Sequence, residues 1–163
     1  SINASIITTL TGSVADLNTA YAANGNGSIS GLGNEAVTLS DTTLAVSVLN
    51  TLDGNTSGAI NASSINTLTG SAADLNTAYS SIGISSLGNE AVTLSDTTLA
   101  ASVLNTLDGN TSGAINAVSI NTLTGTAAEI TTVYSSSGIS GLGNEAVTVT
   151  GSDYTVEQLK ASL

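Results

Sequence analysis

The chain has 163 residues and a formal net charge of −11, with Lys160 as its only cation. It contains no His, Cys, Met, Trp, Phe or Pro. Without His or Cys there is no Ser-His or Cys-His nucleophile, no imidazole or thiolate metal site and no disulfide. A single cation also excludes a nucleic-acid footprint and binding to anionic lipid, so we expect no nucleic-acid partner and no membrane insertion.

The composition nevertheless predicts a folded chain. Hydrophobic residues make up 40% of it, charged residues 8%, and the mean hydropathy is +0.32, whereas disordered chains combine low hydrophobicity with high charge. Internal repeats dominate the sequence, because residues 29–61 recur at 84–116 with two differences and a diverged third copy includes Leu142 to Thr148. We divide the single segment 1–163 into repeats of about 2–59, 60–114 and 115–163.

Six similar triplets mark the predicted strands. Each consists of a threonine, an aliphatic residue and then Thr or Ser, a pattern that favours extended structure. Successive triplets begin 26 or 29 residues apart, so each repeat of about 55 residues contains two coils. The triplets begin at Thr9, Thr38, Thr67, Thr93, Thr122 and Thr148.

A helix is predicted after each triplet. Ser71 followed by Asp74 indicates a capping box in one kind of coil. The apolar face of that helix comprises Ala72, Leu75, Ala78 and Tyr79. In the other kind of coil we expect Asp96 to cap the helix. The apolar face of this second helix comprises Leu99, Val103, Leu104 and Leu107.

Glycine-rich turns at 108–113 and 135–138 close the two kinds of coil, and short extended segments at 114–117 and 138–142 lead to the next triplet. One such unit cannot bury its own apolar face, but stacked units bury a continuous one. We therefore predict an α/β fold, a repeat solenoid of about six strand-helix coils with a parallel sheet. It would be similar to a leucine-rich-repeat or β-helix solenoid, with two coils per 55-residue repeat.

The alternation of side chains conflicts with this register at one place. In residues 65–69, a period of two that buries Leu68 also buries Asn66 and exposes Ile65. Either a β-bulge shifts the face, or Thr8, Asn66 and Asn121 form a buried polar ladder between coils. We favour the ladder, because stacked amides pair well along such an axis.

The six triplet threonines, from Thr9 to Thr148, are a candidate surface-binding rank. Parallel files of Thr on a flat sheet are the pattern by which some solenoids bind ice. A solvent-facing Thr ladder needs no ligand, however, because Thr is a good strand residue. A second file is formed by the third residue of each triplet. It contains Ser in two coils and lies at helix entries, where capping residues are expected. We therefore favour a Thr ladder without a ligand.

Two turns resemble half of a calcium-binding loop. Asp53, Asn55 and Ser57 match the start of a D-x-N-x-S-G loop, and the pattern recurs at Asp108, Asn110 and Ser112. The acidic residue that ends such a loop is missing, and a turn rich in Asp, Gly and Asn suits a helix exit without any metal. Calcium is thus the only cofactor that the sequence suggests, and a metal-free turn is the alternative.

The remaining carboxylates are also periodic. Glu35, Glu90 and Glu145 recur in Gly-Asn-Glu-Ala, where like charges would stack about 10 Å apart and divalent cations would relieve the repulsion. The other acidic residues near helix starts complement the positive helix end. They are Asp16, Asp41, Asp74, Asp96 and Glu129.

We expect no enzymatic activity. A catalytic site needs a unique constellation, whereas every carboxylate before Asp153 occupies a repeated position. Sugar-binding clefts offer aromatic platforms, but Tyr21, Tyr79 and Tyr134 share one helix position and are predicted to lie in the core.

Residues 90–101 and 115–125 resemble the tandem Ser/Thr/Asn/Ala-rich repeats of very large cell-surface or secreted proteins of marine cyanobacteria and other Gram-negative bacteria. The resemblance covers nearly the whole chain. It implies export by a one-step secretion system, an extracellular or cell-surface location, and a role in surface layers, adhesion or cell-surface motility. Residues 147–160 depart from the repeat and look like a transition to a different repeat type.

We therefore expect a non-enzymatic structural segment of a longer extracellular or cell-surface bacterial protein, acting as a rod or spacer and assembling end to end into filaments or a surface layer. Its partners would be further copies of itself or neighbouring repeats of the same chain. The alternative is a binding module, either for calcium-dependent adhesion or for ice through the threonine rank.

Overall fold

The computed structural model describes residues 1–151 and 156–160, without the side chains of Gln158 and Leu159. The transition predicted near the end of the chain falls partly on residues 152–155, outside the described residues. The described part contains helices that recur at nearly regular intervals. They are α1 (Val14–Gly25), α2 (Val46–Asn55), α3 (Ala72–Ser80), α4 (Ala101–Asn110), α5 (Ala127–Ser135) and α6 (Val156–Lys160).

Short strands occupy the segments between the helices. Before α1 lie β1 (Ile2–Asn3) and β2 (Thr9–Gly12), and the later strands follow in chain order. They are β3 (Ile29–Ser30), β4 (Ala36–Leu39), β5 (Thr43–Ala45), β6 (Ile60–Asn61), β7 (Thr67–Gly70), β8 (Ile84–Ser85), β9 (Ala91–Leu94), β10 (Thr98–Ala100), β11 (Ile115–Asn116), β12 (Thr122–Gly125), β13 (Ile139–Ser140) and β14 (Ala146–Val149).

The strand pairs of the described residues are parallel and join successive coils. The predicted parallel α/β solenoid with alternating strands and helices is confirmed. The return segments, which we expected only to be extended, pair as strands in their own right: Ile60 of β6 lies beside both Val37 of β4 and Ile84 of β8.

Two kinds of link between helices alternate and explain the alternating spacing of the repeat. The links before α2 and α4 hold three strands, whereas those before α3 and α5 hold two. A three-strand link pairs with the preceding link through its first two strands and with the following link through its last two. Its middle strand therefore pairs on both sides, as in the orders β2-β4-β6 and β7-β9-β11.

The core lies between the stacked helices and the strands as one apolar cluster that runs through the coils. The helices α2 to α5 each turn three small or aliphatic residues inward, one per turn, which is the spacing that places side chains on one face. In α3 these residues are Ala72, Leu75 and Ala78, as predicted.

The predicted start of the second kind of helix was wrong. Leu99 lies in β10, and α4 begins only at Ala101 without a side-chain cap. Asp96 caps the helix of the preceding coil instead, because its Oδ2 accepts the N–H of Ala72 at 2.8 Å. Asp41 does the same for Val14 at 2.8 Å. Each of these aspartates therefore caps a helix and also links two neighbouring coils.

The predicted buried ladder of Thr8, Asn66 and Asn121 was also wrong, because all three side chains are exposed. A turn at residues 63–64 is closed by the bond from the Ile65 N–H to the Ala62 carbonyl, at 3.0 Å. The turn resets the alternation before β7 begins, so that Ile65 is buried and no polar ladder is needed.

Candidate functional site

The most regular polar feature is a carboxylate cradle, formed by a Gly-Asn-Glu sequence and a tyrosine of the preceding helix. In the second repeat it consists of Gly88, Asn89, Glu90 and Tyr79. The turn just before β9 directs two successive N–H groups toward one oxygen, Glu90 Oε2, at 2.9 Å from Gly88 and 3.2 Å from Asn89. The Tyr79 hydroxyl, from the last turn of α3, donates to the same oxygen at 3.3 Å.

The first and third repeats build the same cradle. Glu35 Oε2 accepts from Gly33 at 2.8 Å, Asn34 at 3.2 Å and the Tyr21 hydroxyl at 3.0 Å. In the third repeat, Glu145 Oε2 accepts from the N–H groups of Gly143 and Asn144 at 2.7 and 3.1 Å, whereas the Tyr134 hydroxyl donates to the other oxygen, Oε1. The cradle is thus a property of the repeat.

The first two cradles are buried. Glu35 and Glu90 are 0% and 1% exposed, and the second carboxylate oxygen of each has no hydrogen-bond partner within the described part of the chain. A buried carboxylate is tolerated only when hydrogen bonds compensate for its lost hydration. The three donors on Oε2 supply that compensation.

The hydrogen bonds determine the pKa values within the cradle. Burial raises the pKa of Glu35, but the N–H groups of Gly33 and Asn34 and the Tyr21 hydroxyl outweigh it and bring the pKa below its ordinary value. The pKa of Glu145 is lowered in the same way. Burial, reinforced by the neighbouring Glu90 carboxylate, raises the pKa of Tyr79 to about 12. Glu35 and Glu145 are therefore ionised, and the tyrosines are neutral, at pH 7.

The following coil closes each buried cradle. Gly113 packs so tightly on Glu90 that an added Cβ would overlap the Glu90 carbonyl oxygen, and Gly58 stands in the same relation to Glu35. The Ser112 N–H and hydroxyl both donate to the Gly88 carbonyl, at 2.8 and 3.0 Å. Each cradle thus joins one coil to the next.

Asparagines on the helices form a second set of bonds between coils. In each case the Nδ2 group donates to a backbone carbonyl of the next helix at 3.0 to 3.2 Å. The bonds run from Asn18 to Val48, from Asn50 to Asp74, from Asn76 to Val103 and from Asn105 to Glu129. We call this series the asparagine ladder.

The predicted calcium-loop residues lie close together in sequence but bond to different coils. The Asp53 carboxylate accepts from the Ser81 hydroxyl in the next coil, at 2.8 Å. Asn55 donates to Asn18, and Ser57 donates to the Gly33 carbonyl, both in the preceding coil. Asp108, Asn110 and Ser112 repeat this pattern with Ser136, Asn76 and Gly88. Within the ranges 1–151 and 156–160, no group of three or more acidic residues comes together as a metal site.

The six triplet threonines do not lie in a single file. Thr9 lies beside Ala36, Thr67 lies between Thr43 and Ala91, and Thr122 between Thr98 and Ala146. The other three belong to a different position of the strand, where Thr38 pairs with Thr11 and Asn61, Thr93 with Thr69 and Asn116, and Thr148 with Thr124. Neighbouring threonines thus form short files that Ala or Asn interrupts.

The predicted core position of the tyrosines holds for Tyr21, and Tyr79 packs against the core, but their pairing with the glutamates was not predicted from the sequence. Tyr79 and Tyr134 precede their glutamates by the same 11 residues. That constant separation, together with a titratable group at both positions, was the signal available in the sequence.

Comparison with family models, curated proteins and solved structures finds no match to this chain. Among the helices described, none combines the length and the apolar character needed to cross a lipid bilayer.

Proposed function

We propose that this chain is a non-enzymatic structural segment of a larger extracellular or cell-surface bacterial protein, in which it acts as a rod or spacer with ends that assemble. The observation that carries the proposal is that the repeated polar side chains hold neighbouring coils together. The asparagine ladder and the turn residues Asp53 and Ser57 bond to neighbouring coils, and the glycines of the next coil pack over the two buried cradle glutamates.

A rod function has a simple physical basis in this architecture. In a solenoid each unit contacts only its neighbours, so stability and length grow with the number of units. Near-identical coils supply near-identical interfaces, and the buried glutamates act as specific joints because an unpaired carboxylate in the core would be costly. The proposed surface location is supported by the resemblance of residues 90–101 and 115–125 to repeats of giant bacterial surface proteins.

A repeat-number series tests the rod function. One and then two further copies of residues 60–114 are inserted after Ala114, and small-angle scattering at low protein concentration gives the maximum dimension. We expect an equal increase in length for each inserted copy and a higher unfolding midpoint. A scrambled insert of the same composition is the control. A maximum dimension that does not grow with repeat number would contradict the proposal.

Calcium binding at the turns is a second candidate function. Asp53 and Asp108 lie in the last turns of α2 and α4, where a negative charge opposes the negative end of the helix dipole. A divalent cation would relieve this. Calcium should then raise the melting midpoint, chelator should reverse the rise, and the double variant Asp53→Asn/Asp108→Asn should abolish it. An unchanged midpoint would contradict calcium binding.

A further inference from the structure

We propose that Asn26 is a modification site, at which the side-chain amide is lost without an enzyme and leaves aspartate or isoaspartate in the chain. The site lies in a segment that only the first repeat carries, because seven residues separate Tyr21 from β3 whereas four separate Tyr79 from β8. The longer segment contains two Asn-Gly sequences, Asn24-Gly25 and Asn26-Gly27. Each of the other asparagines of the chain precedes Thr, Ala or Glu.

The reaction needs a backbone nitrogen that can reach the side-chain carbonyl carbon. The Gly27 nitrogen, after giving its proton to a base, attacks Asn26 Cγ, and the new C–N bond closes a cyclic succinimide while Nδ2 takes up a proton and leaves as ammonia. Water then opens the ring at either carbonyl, which yields aspartate or isoaspartate. Glycine suits this attack because it has no side chain to hinder the nitrogen or to restrict the backbone.

The turn after α1 places Asn26 for this attack. Asn26 is the exposed C-cap residue of α1. The Ser28 N–H donates to Asn26 Oδ1 at 3.0 Å, which folds the side chain back over the Gly27 peptide and stabilises the negative charge that develops on Oδ1 during the attack. The Gly27 N–H donates to the Asn24 carbonyl at 3.2 Å, but exposed turns of this kind open readily.

Asn24 also precedes a glycine, but its environment protects it. Its side chain reaches across the turn to Leu32, where Nδ2 donates to the carbonyl at 3.2 Å and Oδ1 accepts the N–H at 3.1 Å. These bonds direct the amide away from Gly25, which is the last residue of α1. Both bonds must break before Gly25 can attack, so we expect deamidation to be at least about tenfold slower at Asn24 than at Asn26.

The modification changes the end of α1. An aspartate at the C-cap places a negative charge at the negative end of the helix dipole. An isoaspartate also lengthens the main chain by one carbon atom, which moves the N–H groups of Gly27 and Ser28 away from their acceptors. The bonds between Asn24 and Leu32 span this turn, so we expect the cradle of Glu35 to stay intact.

Peptide mapping by mass spectrometry tests the proposal on the whole folded chain, sampled over time at mildly alkaline pH. We expect the mass increase of amide hydrolysis at Asn26 well before it occurs at Asn24. Part of the product should be isoaspartate, which an isoaspartyl methyltransferase labels. In concentrated urea, where the bonds to Leu32 are lost, the two sites should react at similar rates.

Two substitutions at the site provide the controls. Asn26→Gln keeps an amide but requires a larger ring that closes more slowly, so it should remove most of the acidic species that anion exchange separates from the unchanged protein. Asn26→Asp is the standard for one of the two products and should elute with it. The melting midpoint of Asn26→Asp gives the effect of the added charge alone.

Other outcomes would overturn the proposal. If Asn26 keeps its amide as long as Asn24 does in the folded chain, the turn does not select the site. Aspartate without isoaspartate would exclude the succinimide, because direct hydrolysis yields aspartate alone. The rod function does not depend on any of these results, since the repeat-number series tests it separately.

Discussion

The cradles of Glu90 and Glu145 have the same kinds of hydrogen-bond donor but different surroundings. In both, a glutamate accepts two backbone N–H groups and a tyrosine hydroxyl. Glu90 is covered by the next coil, with Gly113 against it, and is 1% exposed. Glu145 lies in the last described coil and is partly exposed, and its partner Tyr134 is 40% exposed.

This difference separates what one repeat makes alone from what its neighbour adds. The hydrogen bonds of the cradle are local, since they form even where no described coil follows. The burial comes from the neighbour. The value of each bond to stability should therefore depend on its place along the rod, because an unpaired polar group is costly only where water cannot reach it.

A side chain added at the tight contact between Gly113 and Glu90 should have the largest effect on stability. Gly113→Ala places a methyl group against the Glu90 carbonyl, which is backbone and cannot move aside. We expect a loss of about 3 kcal/mol in the free energy of unfolding, measured by urea titration. Gly109→Ala is the matched control, because nothing lies near that position in α4 and alanine favours a helix by up to about 1 kcal/mol. Equal effects of the two variants would contradict the packing described.

Removing the carboxylate should distinguish the two cradles. Glu90→Ala leaves two N–H groups and a hydroxyl without a partner in the core, and we expect a loss of about 2 kcal/mol. Glu145→Ala exposes its donors to water and should cost less than about 0.5 kcal/mol. Urea midpoints of the two variants measure the difference. A cost at Glu145 as large as that at Glu90 would show that the following coil adds nothing.

Alkaline pH should weaken the buried cradle. The pKa of Tyr79 rises from 10.0 in the unfolded chain to about 12 in the folded one. Its contribution to stability is complete below the unfolded pKa and is lost as the pH rises through the folded pKa. The unfolding midpoint should therefore fall between about pH 10 and pH 12, and Tyr79→Phe should flatten this decline. An identical pH profile in Tyr79→Phe would contradict the assignment.

The asparagine ladder should contribute least per residue. Asn76→Ala removes both the bond to the Val103 carbonyl and the bond that Asn110 donates to Asn76, and should lower the free energy of unfolding by about 1 kcal/mol. Thr77→Ala is the neighbouring control, since Thr77 bonds only within its own helix. It should be neutral or slightly stabilising because alanine has the higher helix propensity. Calorimetric melting of the two variants tests the ranking.

The sequence was sufficient to predict the solenoid because the pattern repeats. Triplets at regular spacing and helical faces such as Ala72, Leu75 and Ala78 left little choice of architecture. The alternation that failed at Asn66 depended on a local turn at residues 63–64, and serine pairs are not specific turn signals. Asp96 was assigned to the wrong helix because capping rules consider neighbours in sequence, whereas its partner Ala72 lies one coil away.

The candidate site was also harder to predict because its residues are neighbours in space but not in sequence. Tyr79 and Glu90 are brought together by the segment between α3 and β9, which contains β8, and nothing in either residue's immediate sequence indicates the other. Asp53, Asn55 and Ser57 show the converse case. They are close in sequence and fit a metal loop by spacing, yet they point to partners in two different coils.

Hydrogen exchange, measured residue by residue on dilute protein, tests the central claim most directly. If burial comes from the following coil, the amides of Gly88 and Asn89 should exchange much more slowly than those of Gly143 and Asn144, although all four donate to a glutamate. Equal protection at the two places would contradict the account, because it would mean that each repeat forms its own stable unit without the neighbour.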